Sequence, residues 1–524
     1  MTSKFCTDTV YGALRDTEAR HSTRVAVVCG DRRWTYEQLR LEVDRIAAAF
    51  LASGIQPGDR IGMLCSTRIE FWTTYLAASA IGAIWVGLGV RNTRQELAYV
   101  VGDAEPCMLI ALADFEGRAF DEDLAALREA APSIRDIITL DRQCVGMVSW
   151  EQFLARAERT SVEAVMAAAE KVEPQLASLM VYTSGSSGRP KGALLSHHGL
   201  ISGGRAQLER RFQAHPVMIN SFPINHIACV GDTSIAIMVA SGTTVLSERF
   251  NAREQLQLIE RERVNLWGGI PAMVQMTLAV PDFDKFDLSS LYMVGWGGGA
   301  LPRDIIERLK RLAPRVGAVY GLTESTCNVT WTDTNASMDV LVSTIGKPGS
   351  AFSCRILSDS GQVCGVGEAG EIQFKASTNM LGYWRREEAT REAFTADGWL
   401  RTGDLGVWRE DGNLTLVGRR FEMFKSGGFN VYPREVEIAF ESHPAVEFAA
   451  VVPKPDRLYN EVGYAFLLLR GEPRPSIEEL LTFARTKLAN YKIPKTIEIV
   501  AALPTLENGK VDKLQLRKRA AAAP

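Results

Sequence analysis

At 524 residues the chain exceeds the size at which a single hydrophobic core keeps growing, so two or more domains are expected. Hydrophobic residues make up 46% and charged residues 23%, the balance of a packed globular protein and not of a disordered one. With 59 Lys plus Arg against 62 Asp plus Glu, the net charge of -3 speaks against a protein that coats nucleic acid or an anionic membrane, and no nucleic-acid partner is expected.

The N-terminal stretch 1–10 carries Lys4 and Asp8 and no apolar signal core, so export is not expected. The nine cysteines are scattered, odd in number and free of any Cys-x-x-Cys pair. They fit a reducing, cytoplasmic setting better than a disulfide framework, and no zinc site is legible. Strand-like runs at 25–28, 60–64, 108–110 and 243–246 alternate with helical stretches such as 36–52 and 255–263, as in a large α/β region with covered sheets. Residues 71–90 contain no charge and match the length of a membrane span. Thr73, Thr74, Ser79, Gly82, Gly87 and Gly89 interrupt it, and it divides better into a buried helix ending near Ile81 and a strand at 84–88; no transmembrane segment is expected.

The apolar runs 176–181 and 192–195 read as two strands enclosing the loop Thr183-Ser-Gly-Ser-Ser-Gly-Arg-Pro-Lys191. Gly185 and Gly188 let backbone N–H groups approach an anion. Ser184, Ser186 and Ser187 add hydroxyl donors and Lys191 a positive charge. The loop is not the common nucleotide loop, whose glycines lie further apart and whose lysine is followed by Ser or Thr and a helix. Downstream, the apolar run 291–294 leads into Gly295-x-Gly297-x-x-Ala300, a dinucleotide fingerprint that lacks its acidic partner about twenty residues on. After Gly418 the pattern changes to a small α+β unit, with strands near 448–452, 464–469 and 496–500 and a helix near 476–488.

The loop, followed in order by Tyr320-Gly-Leu-Thr-Glu-Ser325, Gly382-Tyr-Trp384, Asp397-Gly-Trp-Leu-Arg-Thr-Gly-Asp404, Gly418-Arg419, Lys425-Ser-Gly-Gly-Phe-Asn-Val-Tyr-Pro433 and Pro504-Thr-Leu-Glu-Asn-Gly-Lys510, resembles the adenylate-forming superfamily along nearly the whole chain. That family contains acyl-CoA and aryl-CoA synthetases, luciferases and the adenylation domains of peptide synthetases. The resemblance implies an α/β fold with a large multi-sheet N-terminal domain at 1–418 and a small mobile C-terminal domain at 419–524, which rotates about a hinge at 419–421. Phe421 departs from the Asp or Lys usual at the hinge.

The implied chemistry is ATP-driven activation of a carboxylic acid to acyl-AMP and pyrophosphate, then transfer of the acyl group to a thiol. By resemblance, Thr183, Ser184, Gly185, Ser186, Ser187, Gly188 and Lys191 hold the β- and γ-phosphates. Thr323 meets the α-phosphate, and Glu324 binds Mg²⁺, a hard cation suited to carboxylate and phosphate oxygens. Tyr320 offers a stacking face to adenine, with Gly321, Gly298, Gly299 and Ala300 beside it, while Asp404 and Arg419 hold the ribose. Lys510 drives adenylation, and Lys425, Ser426, Gly427, Gly428 and Phe429 line the pantetheine path of CoA. His226 stands at the mouth of the carboxylate pocket, whose apolar wall is expected from Ile227, Ala228, Val230, Trp296 and Gly297.

Apolar walls favour an aryl, alicyclic or medium-length acid. Phe222-Pro223 replaces the Phe-Asp of the amino-acid-activating branch, and no carrier domain follows Lys510. The leading reading is therefore an acyl-CoA synthetase using ATP, Mg²⁺ and coenzyme A. A free-standing ligase that loads a carrier protein and a non-catalytic nucleotide-binding homologue are the alternatives, and homodimer formation stays open.

Overall fold

The computed structural model describes residues 5–183, 189–211, 215–426, 429–471, 473–505 and 511–523. Gly185, the serines around it, Gly188, Gly427, Gly428 and Lys510 lie outside the described residues, as does the side chain of Phe421.

Two large sheets form the body of the N-terminal part. One runs, edge to edge, through 382–383, 191–196, 177–183, 84–88, 60–64, 108–111, 136–139 and 148–149. Its central strands pair in parallel, and Ala177–Thr183 turns antiparallel onto Lys191–Ser196. The other runs through 347–348, 328–331, 315–321, 293–297, 266–269, 217–220, 243–246, 25–29 and 32–35. Parallel strands buried on both faces need continuous apolar runs, which is what Arg60–Leu64 and Ile84–Leu88 supply.

The uncharged stretch at 71–90 is a core element. Ile69–Ala80 is a helix buried at every position but Glu70, and Gly82, with φ of 73°, turns the chain into the strand Ile84–Leu88. Trp72 stacks on Tyr75, whose ring meets the edge of Trp85. Among the described residues no helix is long and apolar enough to cross a membrane. The helix Tyr36–Ala52 starts where the sequence says it should, because Thr35 and Gln38 form a capping box. The helix expected at 255–263 begins earlier, at Ala252, where the Asn251 side chain caps it.

A four-stranded antiparallel sheet of Ser353–Leu357, Ala369–Lys375, Leu400–Trp408 and Leu414–Arg419 follows. One turn, Arg420–Glu422, leads to a separate sheet built on Phe424–Ser426, Phe429–Val431, Val446–Asp456, Asn460–Leu469 and Thr496–Val500. The smaller C-terminal part thus has its own sheet and its own core around Val436, Phe440, Val451 and Leu467. Arg470 reaches Asp304 of the large part at 2.8 Å, and Arg420 reaches Asp359 at 2.9 Å.

Candidate nucleotide site

The two stems of the serine- and glycine-rich loop are a tight antiparallel pair in which Thr183 faces Lys191. The strand Gly382–Tyr383 joins the outer side of that pair, with Tyr383 opposite Ala193, and the Trp384 N–H donates to Gly192 O at 2.7 Å. Gly382 is obligatory there: its φ is 145°, and a Cβ would stand 2.8 Å from Thr390 Cγ2. Asp103 ties the stems to the neighbouring helix. It accepts from the Tyr182 hydroxyl at 2.7 Å and from Arg386, and its backbone carbonyl accepts from Trp384 Nε1 at 3.1 Å. Tyr99 OH donates to Pro190 O at 2.9 Å. Sequence reasoning assigned no role to Asp103, Tyr182 or Tyr383.

Glu324 sits on the single turn Thr323–Ser325 that ends the strand Arg315–Gly321. Ser325 Oγ donates to the carbonyls of Leu322 and Cys327, which fixes the turn. The Glu324 carboxylate points back to the loop stem. Its Oε1 accepts from Tyr383 OH at 2.8 Å and from Thr183 Oγ1 at 3.3 Å. The Lys191 ammonium lies 5.2 Å from the centre of the Tyr383 ring. Burial, and then the Glu324 charge, push the Tyr383 phenol far above its usual pKa, so it remains a donor. Thr183, Lys191 and Glu324, predicted to act together, are together. One carboxylate beside hydroxyls is a donor set that fits Mg²⁺, which keeps waters and phosphate oxygens as its remaining ligands.

Asp404 and Arg419 are direct partners across two antiparallel strands, and Arg419 Nε lies 3.0 Å from Asp404 Oδ1. Tyr320 OH donates to the other oxygen, Oδ2, at 2.6 Å. Asp404 is 2% exposed, and its N–H donates to Thr402 Oγ1 across the turn made by Gly403. Burial and the Asp404 charge hold the Tyr320 phenol well above its ordinary pKa. Gly321 is required by packing, because a Cβ would meet Cys327 O at 2.5 Å. Gly298, with φ of 78°, Gly299 and Ala300 form an exposed turn after the strand Met293–Gly297.

Three of the residues expected in the apolar wall are buried. Trp296 is 2% exposed and belongs to the buried cluster that also holds Val274, Leu301 and Ile306. Val230 and Ile227 likewise belong to the core, at 0% and 5% exposure. Ala228 and Gly297 remain half-buried, and a Cβ on Gly297 would meet Val319 Cγ2 at 2.8 Å. His226 is half-buried, and its Nδ1 accepts from the Ala228 N–H at 3.1 Å. It stands two residues before a π-helix, Ala228–Ile235, a rare form found often at functional sites.

In the C-terminal part, Lys425 is exposed, Ser426 is buried and Phe429 is exposed, stacked on Tyr491 with ring centres 4.6 Å apart. An antiparallel bridge joins Thr505 to Val511.

This chain belongs to the AMP-binding enzyme family, which matches residues 14–384, and its C-terminal domain matches residues 435–510. It is a member of the adenylate-forming superfamily, with the family's large N-terminal and smaller C-terminal domains. It is similar to a feruloyl-CoA synthase of Amycolatopsis sp, 32% identical over 506 residues that cover 95% of this chain and 96% of the relative. A 3-[(3aS,4S,7aS)-7a-methyl-1,5-dioxo-octahydro-1H-inden-4-yl]propanoyl:CoA ligase of Mycobacterium tuberculosis is 32% identical over 523 residues, covering 97% and 98%. Among solved structures, the amide bond synthetase McbA from Marinactinospora thermotolerans superposes with a TM-score of 0.86 at 26% identity, covering 97% of this chain and 99% of that one.

Proposed function

We propose that the protein is an AMP-forming acid–thiol ligase that converts a carboxylic acid, ATP and CoA into an acyl-CoA thioester, AMP and pyrophosphate. The observation that carries the nucleotide chemistry is the hydrogen bond from Thr183, the strand partner of Lys191, to the carboxylate of Glu324, 141 residues away. A free carboxylate is a poor electrophile. Attack of its oxygen on the α-phosphorus of ATP expels pyrophosphate and makes a mixed anhydride, and the thiolate of CoA then attacks the acyl carbon and expels AMP. Phosphoryl transfer of this kind is mostly positioning and charge stabilisation.

Lys191 and the hydroxyl of Thr183 hold the outer phosphates, and Thr323 meets the α-phosphate. Asp404 and Arg419 take the ribose, and Tyr320 borders the adenine and fixes Asp404. Glu324 would hold Mg²⁺, which supplies charge neutralisation to the phosphate oxygens. His226 lies at the acid's carboxylate, and Lys510 stabilises the adenylation step. The division at 418, with a hinge at 419–421, is supported by the end of one sheet at Arg419 and the start of the next at Phe424. The half-buried Ala228 and Gly297 support a mainly apolar acid, aryl, alicyclic or of medium length, and the scattered cysteines support a cytoplasmic setting.

The test is pyrophosphate release from ATP and Mg²⁺ over a panel of aryl, alicyclic, fatty and ring-fused acids, with and without CoA, with the thioester identified by mass. Acid-dependent release with a CoA thioester supports the reading. Release without thioester transfers the reading to a carrier-protein acceptor, and no acid-dependent release from any member refutes it.

A further inference from the structure

Tyr383 lies between the two oppositely charged groups of the nucleotide site. Its hydroxyl donates to Glu324 Oε1 at 2.8 Å, while the Lys191 ammonium rests 5.2 Å from its ring centre. Among the described residues no ion pair joins Lys191 to Glu324. Two opposite charges in a partly buried site attract strongly, since the effective dielectric there is far below that of water. Without something between them they would pair, and the phosphates would have to break that pair before Lys191 could bind them. One tyrosine offers each group a different partner: a phenol donor for the carboxylate and a π-face for the ammonium.

The tyrosine itself is held rigidly. Its strand pairs with Lys191–Ser196, its N–H donates to Thr390 Oγ1 at 2.8 Å, and the nearby Met380 N–H donates to the Glu324 carbonyl at 2.8 Å. The ring therefore keeps station relative to both the loop stem and the glutamate turn.

The geometry points to Tyr383 as a positioning residue that holds Lys191 and Glu324 apart, so that the ammonium stands ready for the phosphates of ATP before any nucleotide arrives. This rests on the proposed role of Lys191 in phosphate binding. Metal-free ATP binding, titrated by calorimetry in EDTA and without acid substrate, isolates the effect from catalysis and from the cation.

Tyr383→Phe keeps the ring and is expected to bind metal-free ATP within about twofold of the parent. Tyr383→Leu removes the spacer, and its affinity is expected to fall roughly fivefold or more as Lys191 pairs with Glu324. Adding Glu324→Gln to Tyr383→Leu removes the competing charge and is expected to restore the affinity to within about twofold of Glu324→Gln alone. Parent-like binding by Tyr383→Leu, an equal loss in Tyr383→Phe, or failure of Glu324→Gln to rescue would each overturn the inference; the last outcome would mark a collapsed loop stem instead. Lys191→Met serves as the control: if it leaves metal-free affinity unchanged, the phosphate role of Lys191 falls, which is a separate failure from that of the spacer.

Discussion

Tyr320 and Arg419 grip opposite oxygens of one carboxylate: the phenol donates to Asp404 Oδ2 at 2.6 Å, and Arg419 Nε lies 3.0 Å from Oδ1. The orientation of Asp404 is thus set from both sides before a ribose reaches it. Removing the phenol leaves a buried carboxylate oxygen short of a donor, which costs about 1–3 kcal/mol. Tyr320→Phe is expected to lose roughly tenfold or more in kcat/KM for ATP, with a much smaller loss for 3′-deoxy-ATP. Equal losses on the two nucleotides would show that Tyr320 does not act through Asp404.

A half-buried ion network moors the C-terminal helix to the turn after Arg419. Lys513 Nζ lies 2.5 Å from Glu422 and 2.9 Å from Glu437, whose Oε1 also accepts from the Val451 N–H. Burial opposes the Lys513 charge, but Glu437 and Glu422 more than offset it and raise its pKa. Lys513 stands three residues after Lys510 in the sequence. Lys513→Met is therefore expected to slow acyl-AMP formation by about tenfold or more while sparing thioester formation from supplied acyl-AMP, since small displacements of a charge cost large factors. Single-turnover assays of the two halves decide it, with Lys510→Ala as the reference for a loss confined to the first.

His197 couples stability to acid. Its ring is 0% exposed, Nδ1 accepts from the Val10 N–H at 3.3 Å, and burial pushes its pKa down to about 3. The unfolded chain takes up this proton near pH 6.5 and the folded chain does not. Stability attributable to His197 is complete above pH 6.5 and declines by ~1.4 kcal/mol per pH unit as pH falls toward 3. Denaturant midpoints of the parent and His197→Gln between pH 7.5 and 5.5 should converge as acid is added; parallel curves would contradict the burial effect.

Gly321→Ala places a methyl 2.5 Å from Cys327 O and 2.6 Å from Asn328 Cα, both backbone atoms of the paired strand. The strand must shift, at a cost of about 1–3 kcal/mol. Because the turn that carries Glu324 begins two residues later, ATP affinity is expected to fall together with the melting temperature. A variant that melts like the parent would show that the strand yields freely.

Local signals were the legible ones. Tyr36–Ala52 could be read to its ends because its cap lies next to it in the chain, and Gly82 marks the break in the uncharged stretch. The strands Arg60–Leu64, Thr243–Leu246 and Thr496–Val500 have the bounds that their apolar runs predict. A strand sends neighbours to opposite faces, and nothing in Trp296-Gly297 says that Trp296 is the one held in a buried cluster. Tyr383 stood in a recognised motif, but its partner Glu324 is 59 residues away. Asp103, likewise distant from Tyr182 and Arg386, carries no sequence signal at all.

The π-helix Ala228–Ile235 makes the placement of His226, which we propose lies at the acid's carboxylate, sensitive to chain length. Each residue of an α-helix advances the chain by about 100° around the axis. Deleting one residue within 228–235 would let the segment relax to α-helical winding and turn His226 by about that angle against everything downstream. Acid preference in this fold is then open to change by indels as well as by substitution: a shortened segment would aim a different side chain at the carboxylate without altering any residue type in the pocket.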